Sequence, residues 1–314
     1  MEPVVRARGL TQQYGDQVAV RELDLDVPGS TIVGVVGPSG SGKTTTVRML
    51  LGAEVPSAGE VLVFGQTPWT FDSAQRERIG YMPQLSVLYP HLSVQENLKF
   101  VASVYGLPLR RRRRLAEVLD FVELTEHRRK LLRQTSGGMQ RRLALAATLL
   151  HEPELLFMDE PTAGIGPIQR RKFWDHFQSL KEAGRTLVVT TQYVSEASYC
   201  DLVAVLVDGR LIAFDPPDAL RQQAFGGEVV TLTGTDPFDP LLIRQLHELE
   251  SVRTVTQEGD DGRSLRVVVD EAGRAIPRLQ DWFTGRDAQL VSISQDHPPF
   301  DEVFVRLVEQ SSHA

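Results

Sequence analysis

Residues 37–44 read Gly-Pro-Ser-Gly-Ser-Gly-Lys-Thr, a gapless fit to G-x-x-x-x-G-K-[ST]. Few patterns constrain a fold so tightly, because such a loop works only between a strand and a helix. The preceding Ile32-Val33-Gly34-Val35-Val36 is short, apolar and β-branched, as a buried strand is. The following segment, Thr45 to Leu51, can run as a helix. Gly37, Gly40 and Gly42 let the chain curl so that successive N–H groups point at phosphate oxygens. Pro38, Ser39 and Ser41 complete the loop, and Thr45 continues it into the helix. The helix start adds unpaired N–H groups and a partial positive charge. Lys43 can reach the β- and γ-phosphates of a nucleotide, and the Thr44 hydroxyl suits Mg²⁺.

The chain has 314 residues, enough for one large domain and a small one. Its most apolar stretch, Leu143 to Leu150, is far short of the ~20 residues that span a bilayer. No N-terminal segment has signal-peptide character. Cys200 is the only cysteine, which excludes an intramolecular disulfide and a cysteine zinc site and fits a cytosolic location. A net charge of −7 argues against a nucleic-acid partner.

Residues 1–36 read as short strands around a Gly15-Asp16 turn, and Gly59 to Gly65 as a further β piece. From about His91 to Leu150 the pattern is helical, with Leu115, Val118, Leu119 and Val122 at helical spacing. Residues 155–158 and 186–191 read as buried strands flanking a helix from Ile168 to Ala183, a βαβ unit that implies a parallel sheet. Residues 202–214 read as a hairpin about Asp208-Gly209, and Pro216-Pro217 then break the chain. The composition shifts after Phe225-Gly226-Gly227, so the expected domains are 1–225 and 226–314. The second carries strands at Val229 to Leu232, Leu265 to Val269 and Leu290 to Ile293, with helices at Pro240 to Leu249 and Gly273 to Thr284. A closing helix runs from about Phe300 to Val308. This β-α-β-α-β order suggests a small ferredoxin-like α+β module. The run Arg110 to Arg114 reads either as a lipid or partner contact or as the solvated start of the helix behind it; the second reading is favoured, because the apolar stripe begins there.

Two further elements narrow the class. Leu155-Leu156-Phe157-Met158-Asp159-Glu160 is an apolar strand ending in two carboxylates, the Walker B arrangement. There Asp159 would hold Mg²⁺ and Glu160 would polarise the attacking water. About twenty residues earlier stands Thr135-Ser136-Gly137-Gly138-Met139-Gln140, a glycine turn opening a helix. With these three elements in this order the chain resembles the ATP-binding cassette (ABC) ATPases, whose signature is L-S-G-G-Q. The resemblance implies an α/β P-loop NTPase with a RecA-like core, an antiparallel β piece and a helical subdomain at about 91–150. It also implies ATP and Mg²⁺ as ligands. In the family, Ser136, Gly137 and Gly138 would act on the ATP held by a second cassette packed head to tail. Tyr14 is similar to the aromatic that stacks on adenine, the alternative being a core tyrosine. Gln84, in Tyr81-Met82-Pro83-Gln84, is similar to the Q-loop glutamine that contacts Mg²⁺ and links the nucleotide to a membrane partner. The segment Pro299-Phe300-Asp301-Glu302-Val303-Phe304 and the Ser-Gly-Gly-Met signature resemble exporter cassettes of the daunorubicin-resistance type.

Two positions depart from the family pattern. Gly166, in Ala163-Gly164-Ile165-Gly166-Pro167, stands where the D-loop has aspartate, and Gln192, in Thr190-Thr191-Gln192, stands where the switch has histidine. A glutamine amide can donate to a γ-phosphate, but it cannot carry charge or shuttle a proton. The expectation is a working but slowed ATPase with Glu160, Lys43 and Gln192 as catalytic residues. It would power an exporter through a separate transmembrane permease, peripheral on the inner face of the membrane. A second ATPase subunit would complete it, an identical chain favoured over a different one. The alternatives are a weak or regulatory cassette paired with another subunit, and a soluble non-transport ABC ATPase.

Overall fold

The computed structural model describes residues 2–85, 87–108, 112–284, 286 and 289–312. The chain divides into two compact units between Phe214 and Asp215.

In the first unit, β1 (Val5–Tyr14) and β2 (Gln17–Val27) form a long antiparallel hairpin through the tight turn at Gly15. Then β3 (Ile32–Val36) runs into the glycine loop and α1 (Lys43–Leu50). Next come β4 (Ala58–Val63), the short α2 (Ser73–Glu77) and β5 (Ile79–Met82). The helical stretch supplies α3 (Val94–Val104), α4 (Arg112–Phe121) and α5 (Gly137–Leu149). A capping box starts α3, in which Ser93 Oγ accepts from Glu96 N and Glu96 accepts from Ser93 N. The unit closes with β6 (Leu155–Asp159), α6 (Pro167–Glu182), β7 (Thr186–Thr191), β8 (Leu202–Val207) and β9 (Arg210–Asp215). Of the arginine run, Arg112 to Arg114 open α4, with Arg114 bonded to the carbonyls of Leu149 and Leu150; Arg110 and Arg111 lie outside the described residues.

The strands sort into two sheets. One is antiparallel in the order β2-β1-β4. The other has the order β5-β6-β7-β3-β8-β9, and its first five strands are parallel neighbours. Four of these are wholly or almost wholly buried apolar runs: β3, β6, β7 and β8. That is what a parallel sheet covered on both faces demands. One core joins the sheets, from Val5, Leu25 and Val63 through Val47 and Leu50 of α1 to Phe157 and Val188. The order matters for chemistry, because β3, β5, β6 and β7 present their carboxyl ends at the same edge, where ligands of open α/β sheets bind.

The second unit begins with α7 (Pro217–Phe225). The two prolines therefore do not break the chain there. Pro216 is the N-cap and Pro217 the first helical residue, where a missing N–H costs nothing. The order continues β10 (Glu228–Gly234), α8 (Pro240–His247), β11 (Val252–Glu258), β12 (Ser264–Val269), α9 (Ala272–Phe283), β13 (Leu290–Asp296) and α10 (Phe300–Ser312). A strand absent from the sequence reading, β11, turns β-α-β-α-β into β-α-β-β-α-β. The sheet order is β11-β12-β10-β13 with antiparallel neighbours. Val230, Leu232, Val267 and Ile293 pack with Leu246 of α8 and Leu279 of α9. Phe300 and Val303 of the exporter-like segment are buried, and Glu302 of α10 pairs with Arg266 of β12 at 2.6 Å.

Candidate functional site

At the carboxyl edge of the parallel sheet the glycine loop leaves β3. Gly42 sits at φ 100, and a Cβ there would stand 2.5 Å from the Ala19 carbonyl. At Gly37 a Cβ would stand 2.1 Å from the Leu206 carbonyl. Only glycine fits either position. Gly42 is the N-cap of α1 and offers no side-chain cap, so the first N–H groups of the helix face the loop without a side-chain acceptor. Such an end favours an anion.

Lys43 lies under this loop, 4% exposed. Its Nζ donates to the carbonyls of Gly37 at 2.9 Å and Pro38 at 2.8 Å, and stands 3.9 Å from Glu160 Oε1. Burial pulls its pKa below the ordinary lysine value, while Glu160 and Asp159 pull it back up.

Asp159 ends β6 and is 1% exposed. A buried carboxylate needs partners, and it has two hydroxyls. Thr190 Oγ1, at the end of β7, donates to Oδ1 at 2.6 Å. Thr44 Oγ1 lies 3.1 Å from Oδ1 and 3.0 Å from Oδ2. A carboxylate and a threonine hydroxyl in contact are a donor set that suits a hard cation such as Mg²⁺. Glu160 follows in the left-handed region, at φ 46, a strained conformation for a non-glycine residue. Its backbone N–H is held by Thr190, with Oγ1 at 2.9 Å. That turn aims the carboxylate at Lys43 and at Gln84, whose Nε2 donates to Glu160 Oε2 at 3.0 Å.

An open cleft of about 680 Å³ covers these groups. Ser39, Gly40, Gly42, Lys43, Thr44, Thr45, Gln84 and Glu160 line it. Gly37, Pro38 and Ser41 form the back of the loop; Ser41 is buried. Asp16 to Ala19 and Arg21 of the β1–β2 hairpin, with Asp208-Gly209 of the β8–β9 turn, complete the wall.

Other expected site residues lie apart. Tyr14 does not line the cleft; it is 45% exposed, and its hydroxyl bonds Glu54. Gln192 is exposed just beyond the end of β7. Ser136 caps its own helix α5, accepting from Met139 N at 3.3 Å, while Gly137 and Gly138 face open space. The glycine loop and the Ser-Gly-Gly turn are therefore not brought together within one chain.

Two residues outside the expected set bear on the site. Thr190 serves both Asp159 and Glu160. Arg141, on α5, has a buried Nη1 without a hydrogen-bond partner among the described residues; burial lowers its pKa, with the charge of Glu160 opposing. Thr190 stood in the Thr190-Thr191-Gln192 segment without a role of its own, and nothing in the sequence flagged Arg141.

A family model described as ABC transporter matches residues 20–163. The chain is 39% identical over 231 residues to the probable multidrug ABC transporter ATP-binding protein YbhF of Escherichia coli. That match takes in 72% of this chain but only 39% of the relative's length. The daunorubicin resistance ATP-binding protein DrrA3 of Streptomyces coeruleorubidus is 35% identical over 98% of this chain and 96% of its own. Among solved structures, a dimeric post-hydrolysis ATP-binding cassette bound to ADP and phosphate superposes with a TM-score of 0.62 at 27% identity, over 68% of this chain and 98% of that one.

Proposed function

The chain belongs to the ABC transporter family as an ATP-binding protein, and from that premise we propose that it binds and hydrolyses ATP to drive export through a separate membrane permease. One observation carries the reading. Lys43, Thr44, Gln84, Asp159 and Glu160 converge at one sheet edge, beside a helix start with no side-chain cap.

Roles follow from position. The loop from Gly37 to Thr45 would hold the phosphates by its N–H groups, with Lys43 as a point charge. Thr44 and Asp159, with Gln84, would hold Mg²⁺, which when bound supplies charge neutralisation for the phosphate oxygens. Glu160 accepts a proton from the attacking water; Lys43 and Gln84 orient it. For Gln192 and Tyr14, which do not line the cleft, the roles rest on resemblance to the family: Gln192 would donate to the γ-phosphate and Tyr14 would offer a face for adenine.

The Ser136-Gly137-Gly138 turn lies away from the cleft, so a complete site takes a second cassette, for which an identical chain is favoured. Export is supported by relatives named for multidrug transport and daunorubicin resistance. Among the described residues no helix is long and apolar enough to cross a membrane, which supports a permease on another polypeptide and a place at the inner face of the membrane. The proposed domains are an ATPase unit and a C-terminal accessory unit.

Gly166 and Gln192 favour a second reading, a weak cassette paired with a stronger one. Light scattering of Glu160→Gln with ATP separates them. An ATP-dependent dimer of the chain alone supports self-pairing. A monomer at saturating ATP counts against it.

A further inference from the structure

Glu196 is a buried acid that the proposed chemistry does not use. It is 1% exposed, in the short 3-10 turn Val194–Tyr199 that follows β7. Among the described residues neither carboxylate oxygen has a hydrogen-bond partner. Among the described residues its ion-pair partner is Arg170, whose Nε lies 3.4 Å from Oε1. A charge buried this deeply keeps its counter-ion, because separation would leave it uncompensated.

Arg170 belongs to the first turn of α6, and its backbone N–H donates to the Gly166 carbonyl at 2.9 Å. The flat face of its guanidinium covers the Tyr193 ring, 3.7 Å from the centroid. Tyr193 N donates to Thr191 Oγ1 at 3.0 Å, and Glu196 N donates to the Tyr193 carbonyl at 3.0 Å. Thr191, in turn, is the buried last residue of β7. Gln192 is thus bracketed, with Thr191 fixed by the sheet on one side and Tyr193 held under Arg170 on the other. Arg170 thus connects the two departures from the family pattern indirectly, bonding Gly166 through its backbone N–H and flanking Gln192 through the contacts of its side chain with Tyr193 and Glu196.

We propose that Arg170 is a positioning residue for Gln192, tying the Gly166 turn to the end of β7 through Tyr193 and Glu196. This rests on the reading of Gln192 as a γ-phosphate donor. With glycine at 166 the turn has no side chain of its own to order it, and Arg170 supplies the rigid link. Arginine suits the task, since one planar group can pair with a carboxylate and stack on a ring together.

The test is steady-state ATP hydrolysis by the full chain. The double substitution Arg170→Gln with Glu196→Gln removes both charges of the pair together, so that no buried Glu196 carboxylate is left without its counter-ion, which protects folding. It is expected to lower kcat about tenfold while KM for ATP stays within about twofold, the pattern of an interaction made in the transition state. Arg170→Lys keeps the charge without the planar stack and should fall between. Tyr193→Leu leaves the ion pair whole and should reproduce most of the loss. In a Gln192→Ala background the double substitution should have no further effect, because it acts through Gln192. Wild-type kcat in the double variant and in Tyr193→Leu, or losses that multiply fully on Gln192→Ala, would overturn the positioning role. A wild-type chain with no turnover above Lys43→Ala would overturn the hydrolysis reading, and this proposal with it.

Discussion

The side-chain amide of Gln84 donates to Glu160 Oε2 at 3.0 Å. The bond joins residues far apart in sequence, across the ends of the neighbouring strands β5 and β6. Register makes it possible, since Met82 pairs with Met158 and each chain then has two residues to reach the other. Gln84 is exposed, whereas Glu160 is held in the left-handed region by Thr190. The bond therefore couples the loop after β5 directly to Glu160. Gln84→Ala should cut Mg²⁺-dependent turnover about tenfold, less than the roughly 10²–10³ lost with a donor aimed at the transition state itself, because Gln84 acts through Glu160. ATP affinity measured without Mg²⁺ should not change, and a weaker affinity there would place Gln84 in the phosphate cradle instead.

Thr190 is the hidden strut of the site. Its buried hydroxyl donates to Asp159 and accepts from Glu160 N. Thr190→Val keeps the volume and removes both hydroxyl bonds, leaving the buried Asp159 carboxylate with Thr44 alone among the described residues and the Glu160 N–H with only its longer bond to the Thr190 carbonyl, at 3.2 Å. Denaturant unfolding should show a loss of about 1–3 kcal/mol. Turnover should fall as well, since the strained turn at Glu160 loses its anchor. Unchanged stability would mean that water or a neighbour replaces the hydroxyl.

Lys43 gives the site a pH dependence with a definite sign. Burial, the largest influence, lowers its folded-state pKa below 10.5. Between the lowered value and the ordinary one, the unfolded chain binds more protons than the folded one. The stability of the ligand-free protein therefore rises with pH across that window. Phosphate binding wants the charged form, so ATP affinity should weaken over the same window, below the ordinary lysine range. Calorimetric titration from neutral to alkaline pH checks this. In Lys43→Ala the trend should vanish.

Much of the site is written in local patterns, because a phosphate loop and a strand-end carboxylate pair need fixed residue types at fixed spacing. The fold class was legible for the same reason, whereas Gln84 was singled out only through the resemblance to a family. What was not legible depends on contacts distant in sequence. Arg141 and Thr190 matter only through their approach to β6, and Arg170 only through its reach to Tyr193 and Glu196. The missed strand β11 shows a different cause. It is an edge strand whose side chains are mostly exposed, so it lacks the apolar alternation that marks a strand. Pro216-Pro217 mark a helix start as readily as a break, and only packing decides.

Gln192 sets the speed expected of the site. A neutral amide can donate a hydrogen bond but carries no charge, whereas an imidazolium does both. Gln192→His should therefore raise turnover or leave it unchanged in a steady-state assay. A tenfold drop would show that the geometry around Tyr193 and Arg170 is built for glutamine.

The most direct test of the central claim is steady-state phosphate release by the purified chain with ATP and Mg²⁺, beside Lys43→Ala and Glu160→Gln. The arrangement of Lys43, Asp159 and Glu160 predicts measurable turnover that both substitutions abolish, with ATP binding kept in Glu160→Gln. Turnover that survives Glu160→Gln, or a wild-type chain that binds ATP and releases no phosphate, would contradict it.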